Sequence, residues 1–342
     1  MNDARFDDDL RRRVLPLVRR LHERIRTAVL GSFHEQGMEA LARVAGDAGG
    51  DTIYAVDRVS EEVLVEELER EAPALGGFVL VAEGLEGGRL VLPRGTDERS
   101  ARYLLIVDPI DGTRGLMYQK RSAWVLTGVA PNVPGTRLSD IALAVQSELP
   151  LVKQYLADEL WAFAGGGFSA ERVNVLTGEA RPLALAPSGA PSIEHGFAML
   201  TRFFPGARDA IAELDEELVR AVLGPLPAGR AACFEDQYIS TGGQLYELIA
   251  GHDRFNADLR PLFDGVLAAR GEPGGLHCHP YDICTALIAR EAGVLVTAPD
   301  GGELDVELDV DTPVAWVGYA NAGLRARIEP ALVAALRRRG LL

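Results

Sequence analysis

The sequence predicts a protein of mixed α and β structure, in which sheets are covered by helices. Three observations predict this class: a long amphipathic segment near the N-terminus, short β-rich runs in the middle, and alternating helical and β-rich segments towards the C-terminus. The chain has 342 residues, of which 47% are hydrophobic and 25% charged. That composition is ordinary for a globular protein with one large or two medium-sized cores.

Helices are predicted wherever apolar residues recur at helical spacing. The first runs from about Asp8 to Gly31, with arginines between its apolar positions. The second runs from Val59 to about Glu71, with Val63, Leu64 and Leu68 facing inward. Further helices are predicted over residues 208–223, 280–292 and 322–339.

Two predicted strands matter for function, because each ends at an acidic residue. The run Phe78–Ala82 is followed by Glu83, and the run Tyr103–Val107 stops at Asp108 and Pro109. Other strands are predicted over residues 124–130, 140–145, 160–163, 173–175, 181–185, 294–298 and 314–319.

A domain boundary is predicted in residues 186–191, a segment rich in proline, glycine and small residues. It separates an N-terminal α+β domain, residues 1–187, from a C-terminal α/β domain, residues 188–342. We find no internal repeat.

The charge of the chain argues against several classes of function. The formal net charge is −15, from 35 basic and 50 acidic residues, whereas a nucleic-acid partner would require a basic face. No segment approaches the ~20 uncharged apolar residues of a membrane span. The charged N-terminus lacks the apolar run of a secretion signal. Three cysteines are too few for a disulfide framework, so we expect reduced, buried thiols and a cytoplasmic protein.

The strongest local signal is the segment DPIDGT, residues 108–113. It places two carboxylates three residues apart, with the carbonyl of Ile110 between them. Oxygen donors are the ligands that Mg²⁺ prefers, and Gly112 allows a close backbone approach or a positive φ. An ordinary turn of the Asp-Pro and Asp-Gly kind explains this segment alone equally well.

Two further acidic residues stand at places typical of ligands. Glu83 follows a buried strand, where α/β enzymes often bind ligands. Asp282 follows Pro280, which favours the first turn of a helix. Taken singly, Glu83 is explained by solvation, and Asp282 by helix capping.

Together these segments resemble the inositol monophosphatase and fructose-bisphosphatase superfamily, specifically its inositol monophosphatase branch. Residues 108–113 match the family's DPIDGT signature at every position. Residues 281–286, YDICTA, followed by EAG at 291–293, look like its second signature, and STGG at 240–243 resembles the segment before it. YAVD at 54–57 is similar to an early Val-Thr-x-x-Asp stretch. The order and spacing agree from about residue 50 to about residue 302.

The resemblance implies a layered α-β-α-β-α sandwich and a Mg²⁺-dependent phosphatase that binds two to three ions. Glu83, Asp108 and the Ile110 carbonyl would hold one ion. Asp108, Asp111 and Asp282 would hold the second, with Asp108 shared between them. Most of these ligands belong to the N-terminal domain, and the C-terminal domain completes the site.

The resemblance also implies roles in the reaction. Thr113 and Asp57 would position the attacking water and help to deprotonate it. A third, weaker ion would lie near Glu83 and Asp57. The implied substrate-binding residues are Gly112, Thr113, Arg114 and Asp282.

The sequence departs from the family pattern in two places close to this site. The family has two consecutive glutamates where this chain has Glu83 and Gly84, so one outer acid is missing. Glu86 replaces it if the loop bends. Arg114 and the two residues after it stand in place of the usual Asn-Phe pair. This arginine binds phosphate bidentately or is a solvated loop residue; the sequence supports both interpretations equally.

The segment 251–275 is longer than the family pattern and lies where substrate-selecting groups are expected. His277 and His279 are two apart, so on an extended segment they would face opposite sides. We therefore expect packing or supporting roles for them rather than joint metal ligation.

The leading hypothesis is a Mg²⁺-dependent phosphatase acting on an inositol phosphate or a sugar or polyol phosphate. The alternatives are a nucleotidase of the same superfamily that removes the 3′-phosphate of an adenosine bisphosphate, and a non-catalytic regulator that binds a sugar phosphate. The family resemblance further implies lithium sensitivity and a homodimer. No nucleic-acid or membrane partner is expected.

Overall fold

The computed structural model describes residues 4–36, 44–48, 51–226 and 229–342, without the side chains of 4–5, 34–36, 44–48 and 51–57. The chain divides into two compact units. The first contains Met1–Ala184, Pro280–Ile288 and Val306–Thr312, and the second contains Leu185–His279, Ala289–Asp305 and Pro313–Leu342. The predicted boundary at residue 187 stays a prediction, since both units are discontinuous in sequence.

The helices of the first unit begin with α1, Ala4–Asp9, which continues through a π-helical turn, Leu10–Val14, into α2, Leu15–Gln36. Helix α3 covers Ala55–Leu75. Leu17, Leu21 and Ile25 of α2 are buried, and Leu64 and Leu68 of α3 pack into the same apolar cluster. Leu30, which also stands at helical spacing, is only half-buried. In the part of the chain that the structure describes, no helix is long and apolar enough to span a membrane.

An eight-stranded sheet forms the centre of the first unit, with strand order β10-β9-β8-β7-β6-β5-β3-β4. A separate hairpin of β1, Val44–Ala48, and β2, Asp51–Tyr54, precedes α3. The strands of the large sheet are β3 Phe78–Ala82, β4 Arg89–Leu92, β5 Tyr103–Asp111, β6 Ala123–Pro131, β7 Leu143–Leu149, β8 Leu156–Phe163, β9 Phe168–Asn174 and β10 Ala180–Pro182. Between β5 and β6 lies a one-turn helix, α4, Thr113–Met117.

Strand β5 differs from its prediction, because it does not stop at Asp108 but continues to Asp111. It pairs with β3 in parallel only as far as Val107, and with β6 through Asp108 and again at Asp111. Between these two residues the register shifts, and Pro109 lies in this bulge. A bulge accommodates proline, since the bulged residues leave the hydrogen-bonding ladder.

The second unit contains a four-stranded sheet with strand order β11-β12-β14-β13. Its strands are β11 Phe197–Leu200, β12 Asp253–Asp258, β13 Leu295–Thr297 and β14 Trp316–Tyr319. Its helices include α5 Arg208–Leu223, α6 Thr241–Ile249, α7 Asp264–Ala269 and α10 Ala322–Arg338. The sequence patterns did not predict β11, α6, β12 or α7.

The predicted helix over 280–292 is wrong in one respect, because the structure has two short helices there. These are α8, Pro280–Ile283, and α9, Ala286–Glu291. The side chain of Thr285, between them, donates to Oε1 of Gln146 in β7 at 2.9 Å, and both residues are fully buried. This contact with the sheet holds the chain where a continuous helix was expected.

Candidate metal centre

Two neighbouring strands carry acidic residues to the same end of the large sheet. Strands β3 and β5 run in parallel, and Ala82 pairs with Val107. The parallel pairing ends at these two residues, and an acidic residue follows each of them: Glu83 comes directly after β3, and Asp108 is the next residue of β5. The two carboxylates therefore come from adjacent strands at the same level of the sheet.

The bulge in β5 organises the DPIDGT segment. Asp108 Oδ1 accepts the backbone N–H of Ile110 at 2.9 Å, and the Thr113 hydroxyl donates to the Ile110 carbonyl, also at 2.9 Å. Gly112 has a φ of 98°, in the left-handed region that favours glycine. These contacts fold the segment tightly on itself and place the Asp108 and Asp111 carboxylates close together.

Helix α8 brings the third aspartate to this group. Pro280 begins the helix and Asp282 lies in its first turn, as the sequence predicts. The helix packs against β5 and β6, and Thr285 anchors the following turn to β7. Asp282 is thus held over β5, the strand that carries the other two aspartates.

Asp108, Asp111 and Asp282 form a tight carboxylate cluster. Each contributes an oxygen to a group whose members all lie within 4.8 Å of one another. Asp108 and Asp111 are buried, and Asp282 is half-buried. Among the described residues, no other set of three histidine, cysteine or acidic side chains has this arrangement.

The electrostatics of the cluster fit a divalent cation. Burial raises the pKa of Asp108 well above its usual value, and repulsion from Asp111, Asp282 and Glu83 raises it further. The N–H of Ile110 acts in the opposite direction. Buried like charges are unfavourable unless a counter-charge accompanies them, and carboxylate and carbonyl oxygens are the donors that Mg²⁺ accepts. The Ile110 carbonyl already accepts the Thr113 hydroxyl but retains a second lone pair.

The thiol of Cys284 is close enough to the cluster for the aspartate charges to act on it. It is fully buried, and burial together with the charges of Asp108, Asp282 and Asp111 raises its pKa well above 9.0. The protonated thiol therefore acts as a small apolar group. Cys278 is also buried, but Cys233 is only half-buried, so the expectation of three buried thiols is wrong for Cys233.

Replacing Gly128 with alanine is expected to destabilise the first unit. A Cβ at this position of β6 would lie 2.7 Å from Cδ1 of Ile141 and 3.2 Å from Cβ of Cys284. Overpacking of this kind costs roughly 1–3 kcal/mol. Urea unfolding of the metal-free protein measures the change. The control is Gly31→Ala in α2, where no atom lies within 4 Å and alanine should stabilise the helix by about 1 kcal/mol. Equal stability of the Gly128 variant and the wild type would contradict this account.

Of the other predicted site residues, four are described by the structure, and the side chain of one is not. Gly112, Thr113 and Arg114, at the start of α4, are all half-buried. Glu83 is exposed at the end of β3. The side chain of Asp57 lies outside the described residues. The roles of all these residues as ligands or catalytic groups stay predictions.

The segment 251–275 uses some of its charged residues within the second unit. Arg260 forms an ion pair with the buried Asp258 and stacks over Phe203 at 4.6 Å. His277 Nε2 lies 3.0 Å from Oδ1 of Asp264, which agrees with the packing role expected for it. Substrate selection by this segment stays a prediction.

One acidic residue near the predicted ligands was missed by sequence reasoning. The carboxylate of Glu61 in α3 occupies the space beside Gly84, where a side chain at position 84 would lie. Glu86, the expected replacement for the missing acid, lies exposed in a 3₁₀ turn, Glu86–Gly88. Nothing local in the sequence signals the approach of Glu61, because it depends on how α3 packs beside β3.

The structure thus combines an α+β fold with a partly buried carboxylate cluster in its first unit. Comparison with protein-family models gives no match, and comparison with curated protein sequences gives none either. Solved structures, in contrast, are similar over nearly the whole chain.

Three of these structures illustrate the similarity. Leishmania major fructose-1,6-bisphosphatase in its holo form has a TM-score of 0.67 and 14% identity, covering 96% of this chain and 95% of its own. Extragenic suppressor protein suhB from Bartonella henselae has a TM-score of 0.62 and 17% identity, covering 93% and 98%. An IMPase from Thermotoga maritima has a TM-score of 0.59 and 16% identity, covering 95% and 98%.

The chain therefore has the fold of the inositol monophosphatase and fructose-bisphosphatase superfamily. The predicted fold class, a layered α+β sandwich of this type, is confirmed. The resemblance that the DPIDGT and YDICTA segments indicated is confirmed at the level of the fold.

Proposed function

We propose that this chain is a divalent-metal-dependent phosphatase that hydrolyses a small phosphate monoester. The observation that carries the proposal is the cluster of Asp108, Asp111 and Asp282, within 4.8 Å of one another. Glu83 extends the negative charge of this cluster along the adjacent strand end. A set of hard oxygen donors at the ends of strands suits Mg²⁺, which we propose as the cofactor, with two to three ions.

The proposed mechanism is in-line attack of water on the phosphorus, which breaks the bond to the ester oxygen on the opposite side and releases the alcohol once that oxygen takes up a proton. Cations held by Glu83, Asp108, Asp111, Asp282 and the Ile110 carbonyl would neutralise phosphate charge and make the attacking water more acidic. Thr113 would orient this water, since its hydroxyl is already held at 2.9 Å from the Ile110 carbonyl. Asp57 would accept the proton.

The substrate phosphate would lie at the start of α4. Gly112 leaves room for a close approach, and the half-buried Arg114 would pair with phosphate oxygens. Asp282 would contact the substrate from α8. We propose an inositol, sugar or polyol phosphate as the substrate, in line with the structures of this fold. No specific observation favours a nucleotide.

Phosphate release from a panel of monoesters tests the proposal. The panel contains inositol 1-phosphate, fructose 1,6-bisphosphate, a glycerol phosphate and 3′-phosphoadenosine 5′-phosphate, each with Mg²⁺ and with EDTA. We expect Mg²⁺-dependent turnover of at least one polyol or sugar phosphate, and its loss in the Asp111→Asn variant.

Two results would change the assignment. Preferred turnover of the nucleotide would identify the nucleotidase alternative. No turnover of any substrate by the folded, metal-loaded protein would favour a non-catalytic binding protein. Lithium inhibition, a homodimer and a cytoplasmic location stay predictions that the same preparation allows one to test.

A further inference from the structure

Gly84 combines a backbone conformation that favours glycine with a space that another residue fills. Its φ is +83°, a conformation that residues with a side chain rarely adopt. A Cβ built on Gly84 would lie 2.7 Å from Cδ and 3.2 Å from Oε2 of Glu61, and nearer still to Oε1. Real Cβ atoms essentially never approach other atoms within 3.0 Å. The absence of a side chain at position 84 is thus what admits the carboxylate of Glu61.

The place that Glu61 occupies adjoins the carboxylate cluster. Gly84 directly follows Glu83, and the charge of Glu83 raises the pKa of Asp108. Glu61 belongs to α3, where its neighbours Ser60 and Leu64 are fully buried and fix the helix against the unit. Its own side chain is half-buried. The carboxylate of Glu61 thus lies against the residue that follows Glu83, whose charge acts on Asp108.

We propose that Glu61 is a positioning residue of the metal centre, supplying from α3 the outer carboxylate that position 84 does not provide. The inference rests on the proposed function. Glu61 stands outside the tight group of Asp108, Asp111 and Asp282. Because its carboxylate lies against the backbone of Gly84, we assign it an effect on a bound cation through its charge and through hydrogen bonds to water rather than as a direct ligand.

The physical reason for this role is the excess of negative charge. The cluster already brings Glu83 and three aspartates together, and a further carboxylate nearby makes the metal-free site less favourable. The same charge makes a bound divalent cation more favourable. A purely structural Glu61 would support the turn after β3 but would leave the affinity for cations unchanged.

Mn²⁺ binding by the isosteric Glu61→Gln variant tests the inference. We expect the Kd for Mn²⁺, measured by calorimetry, to rise about tenfold, since groups that support metal ligands typically contribute 10–100-fold. The melting temperature of the metal-free variant should equal or exceed that of the wild type. The matched control is Glu62→Gln, the exposed neighbour on the same helix, which should bind Mn²⁺ like the wild type.

A second variant, Glu61→Asp, keeps the charge but shortens the side chain, and its Kd should lie between the other two. Suppose that the wild type binds Mn²⁺ and hydrolyses a phosphate monoester, and that folded Glu61→Gln binds Mn²⁺ with the same Kd. The role of Glu61 would then be overturned, while the proposed metal centre would stand. If the wild type binds Mn²⁺ no better than Asp111→Asn, the proposed metal centre fails, and the role of Glu61 with it.

Discussion

Replacing Asp108 with asparagine is expected to abolish phosphatase activity and, at the same time, to stabilise the metal-free protein. Asp108 is buried, and both its burial and three neighbouring carboxylates oppose its ionised form. Asparagine keeps an oxygen for the N–H of Ile110 and removes the charge. The metal-free variant should therefore melt a few degrees higher.

The loss of activity follows from the same charge. In the proposed site Asp108 would be shared between two cations and would fix where the phosphate reacts, so we expect kcat/KM to fall by a factor on the order of 10²–10³ or more. Added Mg²⁺ should raise the melting temperature of the wild type but not that of the variant. Calorimetry with and without EDTA measures the melting temperatures, and phosphate release measures the loss of activity.

A control separates this effect from general removal of negative charge. Asp8 is an exposed residue paired with Arg12, and such pairs contribute roughly 0–1 kcal/mol. Asp8→Asn should therefore keep full activity and nearly the same melting temperature. A metal-free Asp108→Asn protein less stable than the wild type would contradict the view that this site holds repelling charges in place for a cation.

The part of the site that follows from strand ends could be predicted from sequence. When an acidic residue follows a buried β-rich run, it lies near the end of a strand, where the strands of the sheet end together. The run before Asp108 is of this kind. Pro280 marks the start of a helix, which places Asp282 in its first turn. These signals are local, because they depend on residues next to one another in the chain.

The features that could not be predicted depend on partners distant in sequence. The bulge between Asp108 and Asp111 is defined by pairing with β6, where Leu126 and Trp124 oppose these residues. The break before α9 accompanies the contact of Thr285 with Gln146. Glu86 was expected near the missing acid because it is close in sequence, whereas helix packing brings Glu61 there instead.

A buried histidine of α2, on the face that packs against the large sheet, makes the stability of the first unit sensitive to acid. His22 is fully buried, with Nδ1 2.9 Å from the Ser147 hydroxyl and Nε2 2.8 Å from the Thr127 hydroxyl. Burial, and then the charge of Arg26, lower its pKa from 6.5 to about 3. Because hydroxyls can donate or accept, both contacts suit the neutral imidazole.

The sign of the effect follows from this lowered pKa. The folded protein binds the His22 proton less tightly than the unfolded chain, so its stabilising contribution is complete above pH 6.5. The contribution is lost progressively as the pH falls from 6.5 towards 3. Between pH 7 and pH 5 the loss amounts to about 2 kcal/mol.

His22→Gln removes the titrating group and keeps an amide that can both donate to and accept from the two hydroxyls. We expect the difference in unfolding free energy between wild type and variant to shift by about 2 kcal/mol against the wild type from pH 7 to pH 5. Urea unfolding at both pH values, in EDTA, measures this shift. The carboxylates titrate alike in wild type and variant, so they cancel from this comparison. If the difference in unfolding free energy were the same at pH 7 and pH 5, the folded protein would have to accommodate a charged His22. That result would contradict the buried environment that its contacts describe.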